Sequence, residues 1–158
     1  MLDTVSVEPS HLAAARRRVT GARIVVLKVG SNVLVGSGSS VIDRPTFCNL
    51  VESLSNIASV GSRRVVLVTS GAVAVGRRRF SGESLTRGEE SVARKQAFAA
   101  IGQPELMHLY AEEFGFYGKR VAQVLLTRDD TSNRERYLNA RTTFRALCAL
   151  PDVVPVSY

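Results

Sequence analysis

The 158-residue sequence has no tryptophan, only two cysteines and two histidines, and no long apolar run. A membrane-spanning helix needs about 18 or more consecutive apolar residues, so we expect a soluble protein with no membrane partner. Cys48 and Cys148 fall on apolar positions of predicted helices, which indicates reduced core thiols and not a disulfide framework. His108 has no second ligand-type residue at metal spacing, and no metal site is predicted.

The formal net charge of +7 comes largely from clustered arginines. The clusters are Arg16-Arg17-Arg18, Arg63-Arg64 and Arg77-Arg78-Arg79. Such clusters can attract anionic substrates or bind nucleic acid. No helix-turn-helix, zinc or RNA-recognition signature accompanies them, and the aromatic residues do not interleave with them as base-stacking platforms would. We therefore interpret them as a solvated basic surface and do not expect nucleic acid as a partner.

Length and composition favour one globular domain, since 45% of the residues are hydrophobic. Residues 1–21 lack sustained periodicity and contain the arginine triplet, so we predict a mobile basic leader there. Residues 22–158 then form the folded part.

The apolar run Ile24–Val29 carries one lysine near its end and breaks at Gly30. Such a run is typical of a buried parallel strand. Alternation places Ile24, Val26 and Lys28 on one face of that strand and the intervening residues on the other. In open parallel sheets ligands bind outside the carboxyl ends of the strands, so Lys28 lies where an anion would be met.

A second apolar run, residues 65–68, repeats this design and ends in Thr69-Ser70-Gly71. A helix that begins there presents free backbone amides and a positive dipole end, which suits a carboxylate or phosphate. Ser70 could equally be a simple helix cap. Spacing alone leaves both roles open. Neither a Walker phosphate loop nor a G-x-G-x-x-G sequence is present.

Between these runs, Gly36-Ser37-Gly38-Ser39-Ser40 predicts a flexible loop, and a helix is predicted from Asp43 and Pro45 to Gly61. Because this connects two strands that end on the same side, we expect a βαβ unit.

The second half of the chain predicts two helical segments, two strands and a last helix. A helix begins near Glu89 and restarts at Gly102-Gln103-Pro104; a strand follows over residues 121–127. Ser132 with Glu135 predicts a capping box, and Tyr137, Phe144, Leu147 and Cys148 are expected to face inward. Residues 153–156 begin a fourth strand, which we expect at an uncovered edge of the sheet.

Five motifs in order resemble glutamate 5-kinases. They are residues 27–32 (Leu-Lys-Val-Gly-Ser-Asn), residues 68–77 (Val-Thr-Ser-Gly-Ala-Val-Ala-Val-Gly-Arg), Lys95-Gln96 with Gly102-Gln103, residues 123–127 (Gln-Val-Leu-Leu-Thr) and residues 137–141 (Tyr-Leu-Asn-Ala-Arg). The resemblance implies an α/β three-layer sandwich with a mainly parallel sheet, the amino-acid-kinase (carbamate-kinase-like) fold, of which residues 22–158 are the N-terminal part. It also implies phosphorylation of the L-glutamate side-chain carboxylate by ATP with Mg²⁺, the first step of proline biosynthesis.

The same resemblance implies roles for individual residues. Lys28 matches the catalytic lysine that contacts the ATP phosphates, with Gly30 and Ser31 in the adjoining ATP-binding loop. Ser70 matches a glutamate-binding serine, with Gly71 beside it. We expect a cytoplasmic homo-oligomer with L-glutamate and ATP as its partners.

The sequence departs from the family pattern at Ser157-Tyr158, where an Asn-Glu-Asn-Asp segment with a glutamate-binding aspartate is expected. The fold is therefore expected to be truncated, with little activity of its own. The alternative function is a non-catalytic remnant that associates with a full-length subunit, or a basic binding module.

Overall fold

A computed structural model describes residues 9–35, 42–80 and 91–158, with side chains from Leu12 onward. The predicted loop at residues 36–40 and the position of Glu89 lie outside the described residues. The helices are α1 Pro9–Thr20, α2 Ser31–Leu34, α3 Arg44–Ser59, α4 Ala72–Arg78, α5 Val92–Phe116, α6 Arg128–Ser132 and α7 Arg134–Ala149; the strands are β1 Ile24–Val29, β2 Arg64–Thr69, β3 Arg120–Val124 and β4 Val153–Ser157.

The four strands form one sheet in the order β1-β2-β4-β3, and every neighbouring pair is parallel. The β1–β2 register runs from Ile24 beside Arg64 to Val29 beside Thr69. This confirms the predicted α/β class and the parallel pairing of the first two strands. The expectation for the last strand is wrong, because β4 lies between β2 and β3 and the edges of the sheet are β1 and β3.

Helices α3 and α5 cover one face of the sheet, and α7 lies against the other, which gives three layers. The core between the sheet and helices α3 and α5 contains Val65, Leu67, Phe47, Tyr110 and Phe114, all of them almost completely buried. The rings of Phe47 and Tyr110 are 4.9 Å apart between centroids. Most of the apolar burial therefore lies on one side of the sheet.

Strand β1 alternates as predicted, but the expectation of a buried strand is wrong, because β1 is an edge strand with only one face packed in the core. Val29 is buried and Val25 and Leu27 are half-buried, whereas Ile24 and Val26 are 53% and 62% exposed. The exposed pair lies on the α7 side, where it lines an apolar groove of about 510 Å³ with Phe144. Helix α7 covers this groove only in part.

Helix α3 begins as predicted, because the Asp43 side chain accepts a hydrogen bond from the backbone N–H of Thr46 and Pro45 occupies the first turn. Its inward residues Phe47, Val51 and Leu54 are buried. The helix ends before Gly61, which has a φ of +61°. The apolar residues at helical spacing in this segment therefore predicted the helix correctly.

Regular structure extends into the segment that was predicted to be a mobile leader, since Pro9–Thr20 is helical. Ala13, Ala14 and Ala15 are followed by three arginines, and both residue types have high helix propensity. The side chains of residues 12–20 are exposed. Propensity, and not an apolar stripe, accounts for this helix.

Helix α5 is continuous over 25 residues, so the predicted restart at Gly102-Gln103-Pro104 is wrong. Proline removes one backbone hydrogen bond from a helix. Here Gly102 packs against α4 just before Pro104, while Leu106 and Tyr110 are buried just after it. Tertiary packing on both sides holds the helix together through the proline.

The last helix is capped by Asn133, whose side chain accepts a hydrogen bond from the Arg136 N–H; the predicted Ser132 cap is wrong. Ser132 instead ends α6 and donates to the Arg128 carbonyl. Of the residues expected to face inward, Phe144, Leu147 and Cys148 are half-buried and Tyr137 is 49% exposed. No α7 residue is fully buried.

Cys48 and Cys148 are free thiols and both are half-buried. Burial raises the pKa of each thiol, which makes the neutral form dominant at neutral pH. Within the described ranges, no helix has the length and hydropathy needed to cross a membrane.

Candidate active site

The carboxyl ends of β1, β2 and β4 meet at one edge of the sheet, and a cavity of about 370 Å³ opens there. Its lining includes Ser31 after β1, Ser70 and Gly71 after β2, and Tyr158 after β4. The sheet therefore brings together three of the residues that the motifs singled out. Lys28 and Gly30 lie at the same strand end but do not line the cavity.

Lys28 is the fifth residue of β1 and lies beside Val68 of β2. Its side chain is exposed, on the face that carries Ile24 and Val26. The Nζ atom lies 3.6 Å from the position that a Cβ atom would take at Gly30. The ammonium group is thus folded over the turn that ends the strand, as expected for a charge that must leave an apolar sheet.

Gly30 and Ser31 form the turn from β1 into the short helix α2. Gly30 is the N-cap residue, in an extended conformation, and its carbonyl accepts the Val33 N–H at 3.0 Å. Ser31 is half-buried and its carbonyl accepts the Val35 N–H. No side-chain hydrogen bond caps this helix. The turn exposes backbone close to the Lys28 ammonium group.

Ser70 connects the ends of β1 and β2. Its backbone N–H and its hydroxyl both donate to the carbonyl oxygen of Val29, at 3.1 and 3.2 Å. The N-cap of α4 is Gly71, and no side chain caps that helix. The capping role that the sequence left open for Ser70 is therefore absent, and the half-buried residue lines the cavity instead.

Gly71 occupies a backbone conformation that favours glycine, with φ at +125°. A Cβ atom at this position would lie 3.7 Å from Leu34 Cδ1, an ordinary contact. Strain, and not space, therefore requires glycine here. The sharp turn directs the chain from β2 into α4 along the cavity wall.

Behind this turn, the Thr69 hydroxyl lies 2.9 Å from the Tyr110 hydroxyl inside the core. Burial raises the pKa of Tyr110 to about 12, although its hydrogen bond to Thr69 acts in the opposite direction. The residue before Ser70 is consequently fixed to α5. This contact supports the strand end that carries Ser70.

The sequence motifs contained two further cavity residues to which no role was assigned, Asn32 and Arg77. Arg77 had been grouped with a solvated arginine cluster. Its guanidinium lies 5.9 Å from the Phe98 ring centroid, and the side chain is half-buried. The sequence contained one signal for this residue. Arg77 lies six residues after Gly71, on the helix that begins at the site.

Helix α4 is held close to α5 by two glycines. A Cβ atom at Gly76 would lie 2.0 Å from the Phe98 carbonyl oxygen, and one at Gly102 would lie 2.0 Å from the Ala72 carbonyl oxygen. Only hydrogen fits at these positions. The close approach sets the position of the cavity wall formed by α4.

In open parallel α/β sheets, ligands bind outside the carboxyl ends of the strands, which is where the glycine turns and Lys28 lie in this structure. Residues 23–158 match the Amino acid kinase family. The chain therefore belongs to the amino acid kinase family.

Within that family, three similar curated proteins are each named Glutamate 5-kinase. The relative from Nitratidesulfovibrio vulgaris is 51% identical over 147 residues, which are 91% of this chain and 35% of that protein. The Geobacter metallireducens relative is 44% identical over 132 residues, covering 84% and 34%, and the Teredinibacter turnerae relative is 43% identical over 141 residues, covering 89% and 36%. The chain spans about a third of the length of the curated relatives it matches.

Proposed function

We propose that this chain is the part of a glutamate 5-kinase that contacts the transferred phosphate and the amino-acid substrate. The reaction is transfer of a phosphoryl group from ATP to the side-chain carboxylate of L-glutamate, which gives L-glutamate 5-phosphate for proline biosynthesis. The names of the relatives support it. The observation that carries it is that Ser31, Ser70 and Gly71 line one cavity at the strand ends where Lys28 is folded over the Gly30 turn.

In this proposal Lys28 is the catalytic residue. Phosphoryl transfer needs mainly positioning and stabilisation of charge on the moving group. An exposed ammonium over the Gly30 turn supplies such a charge, and Gly30 and Ser31 offer backbone and hydroxyl groups to the ATP phosphates. The acceptor carboxylate, with an ordinary pKa near 4.3, is ionised at neutral pH and needs no general base.

Ser70 and Gly71 are the proposed glutamate-binding residues. The Ser70 hydroxyl can exchange its bond to the Val29 carbonyl for one to a substrate carboxylate, because the backbone N–H of Ser70 already satisfies that carbonyl. Hydrogen bonds from a hydroxyl to a carboxylate are stronger than those to a neutral carbonyl. The free energy therefore favours exchange of the Ser70 hydroxyl from the Val29 carbonyl to the substrate carboxylate.

We propose that Mg²⁺ reaches this site together with ATP. Across the described stretches, no group of three or more His, Cys, Asp or Glu side chains is arranged to hold a metal ion. We also propose that the protein is a homo-oligomer in the cytoplasm, which agrees with the function of a biosynthetic kinase.

The experiment uses a chimera in which residues 23–158 replace the matching third of the Nitratidesulfovibrio vulgaris relative. Glutamyl phosphate is trapped as the hydroxamate in the presence of ATP, Mg²⁺ and glutamate. We expect turnover, and we expect Lys28→Ala and Lys28→Met to lower it by about 10²–10³-fold at unchanged melting temperature. Met keeps the apolar stem of lysine, so this pair isolates the charge. Unimpaired turnover in either variant contradicts the assignment.

The alternative, a non-catalytic chain that associates with a full-length subunit, is favoured by the exposed apolar pair Ile24 and Val26. The two functions differ in what the chimera does. A chimera that folds and binds ATP but forms no hydroxamate supports the non-catalytic function, whereas glutamate-dependent turnover excludes it.

A further inference from the structure

Three arginines line a second cavity, at the amino ends of β1 and β2. This cavity has a volume of about 470 Å³, and its cationic lining residues are Arg23, Arg64 and Arg145. Ser62 contributes a hydroxyl group, and Ile24, Cys148 and Ala149 form an apolar wall. Volumes of this size are typical of small-molecule sites.

The arginines are only partly bonded within the protein. Arg64 donates from Nε to the Cys148 carbonyl at 2.6 Å and from Nη1 to the Arg63 carbonyl at 3.2 Å. The side chains of Arg23 and Arg145 are exposed and make no hydrogen bond or ion pair in the described part of the chain. No carboxylate lines the cavity, and the nearby Asp152 is already bonded to Lys119 at 2.8 Å. The cavity lining therefore carries three positive charges and no negative charge, and Asp152, which lies outside the lining, attracts Arg64 only in addition to its bond with Lys119.

This cavity is separate from the candidate active site. Arg64 pairs in register with Ile24, the first residue of β1, whereas Gly30 and Ser70 follow the other end of the strands. Five steps along a strand of six residues correspond to roughly 17 Å at about 3.3 Å per residue. An anion held by these arginines cannot be the phosphate that Lys28 contacts.

We propose that this cavity binds a phosphate monoester with an apolar organic body, through Arg23, Arg64 and Arg145. The planar guanidinium group matches phosphate oxygens in bidentate fashion. Three cations without a carboxylate favour a dianion over a monoanionic carboxylate. The apolar wall contributed by Ile24, Cys148 and Ala149 gives the organic body a surface to pack against, which inorganic phosphate could not use.

The test is isothermal titration calorimetry of the 158-residue chain with phenyl phosphate at low ionic strength. Two control ligands are titrated separately. Inorganic phosphate represents the anionic part of phenyl phosphate, and phenol represents its apolar part. We expect phenyl phosphate to bind at least tenfold more tightly than inorganic phosphate, and phenol not to bind measurably. Equal affinity for inorganic phosphate, or binding of phenol alone, overturns the proposed ligand class.

Variants locate the bound probe. Arg23→Gln and Arg145→Gln remove exposed guanidinium groups without touching the core, and each should weaken phenyl phosphate binding about tenfold. Arg134→Gln, an exposed arginine on the same helix as Arg145, is the matched control and should bind as the unmodified chain does. Lys28→Ala should also leave binding unchanged. Loss of binding in Lys28→Ala would place the probe at the candidate active site and overturn the proposed second site. An equal effect of all three arginine variants would overturn it too, without bearing on the kinase proposal.

Discussion

Gly76 and Gly102 face each other so closely that a methyl group added to Gly102 would lie 2.4 Å from the backbone nitrogen of Gly76 and 2.0 Å from the Ala72 carbonyl oxygen. Backbone atoms cannot move aside as a flexible side chain can. The contact joins α4, which begins at the candidate site, to the long helix α5. It therefore couples the position of the site to the core.

We expect Gly102→Ala to lower the free energy of unfolding by about 3 kcal/mol, because overpacking at a rigid backbone contact costs at least as much as in a side-chain core. Gly115→Ala on the same helix is the matched control. No atom lies within 4 Å of a Cβ atom there, and the higher helix propensity of alanine should stabilise the protein by up to about 1 kcal/mol. Urea unfolding measures both. Equal stabilities for the two variants would disprove the close packing.

Tyr110 predicts a specific loss of stability at alkaline pH. Burial raises its pKa in the folded protein to about 12, from an ordinary value of 10.0. A raised pKa means that the contribution to stability is fully present below pH 10 and is lost as the pH rises through about 12. Unfolding free energies measured between pH 9 and 12 should fall by about 2 kcal/mol more for the unmodified chain than for Tyr110→Phe.

Tyr110→Phe should also destabilise the protein near neutral pH. It removes the 2.9 Å partner of the buried Thr69 hydroxyl and leaves only the longer bond of that hydroxyl to the Ser70 carbonyl, at 3.4 Å, so we expect a loss of about 1 kcal/mol. Tyr117→Phe is the control near neutral pH, because Tyr117 is 37% exposed and its hydroxyl makes no hydrogen bond within the part of the chain that the structure describes. Identical pH profiles for the unmodified chain and the Tyr110 variant would contradict the assignment.

The sequence predicted the strand β1, its two faces and the start of α3 because these features are set locally. An apolar run with a single lysine can bury only one face and must direct the charge out at its end. Asp43 and Pro45 similarly define a helix start through bonds within one turn. The meeting of the residues after β1 and β2 at one edge of the sheet was predictable for the same reason, since parallel strands end at one edge; the roles of these residues stay predictions.

Features decided by distant contacts were not predictable. The insertion of β4 between β2 and β3 follows from which strands pair, and no local pattern specifies it. Pro104 lies within a helix because Gly102 and Leu106 are held by other elements. At Ser70, spacing could not distinguish a cap from a bond to Val29, because both place the hydroxyl beside a helix start.

The exposed face of β1 predicts self-association of the 158-residue chain. Ile24 and Val26 are more than half exposed on an edge strand, and exposed apolar edges recruit other chains. Sedimentation at low micromolar concentration should show dimers or larger species. Val26→Asp should shift the distribution towards monomer. Val92→Asp changes an exposed valine outside this face and should not; a monomeric unmodified chain would contradict the prediction.

Ser70→Ala separates a substrate contact from a structural one. The hydroxyl does not cap α4, and the backbone N–H of Ser70 donates to the same Val29 carbonyl that the hydroxyl contacts. The variant should therefore avoid the loss of about 1 kcal/mol that removal of a cap causes. In the chimera, the glutamate KM should rise at least tenfold with little change in the ATP KM. Ser59→Ala, which removes an exposed hydroxyl bonded to the Ser55 carbonyl on α3, should change neither constant. A lower melting temperature with unchanged glutamate kinetics would leave Ser70 with a structural role alone.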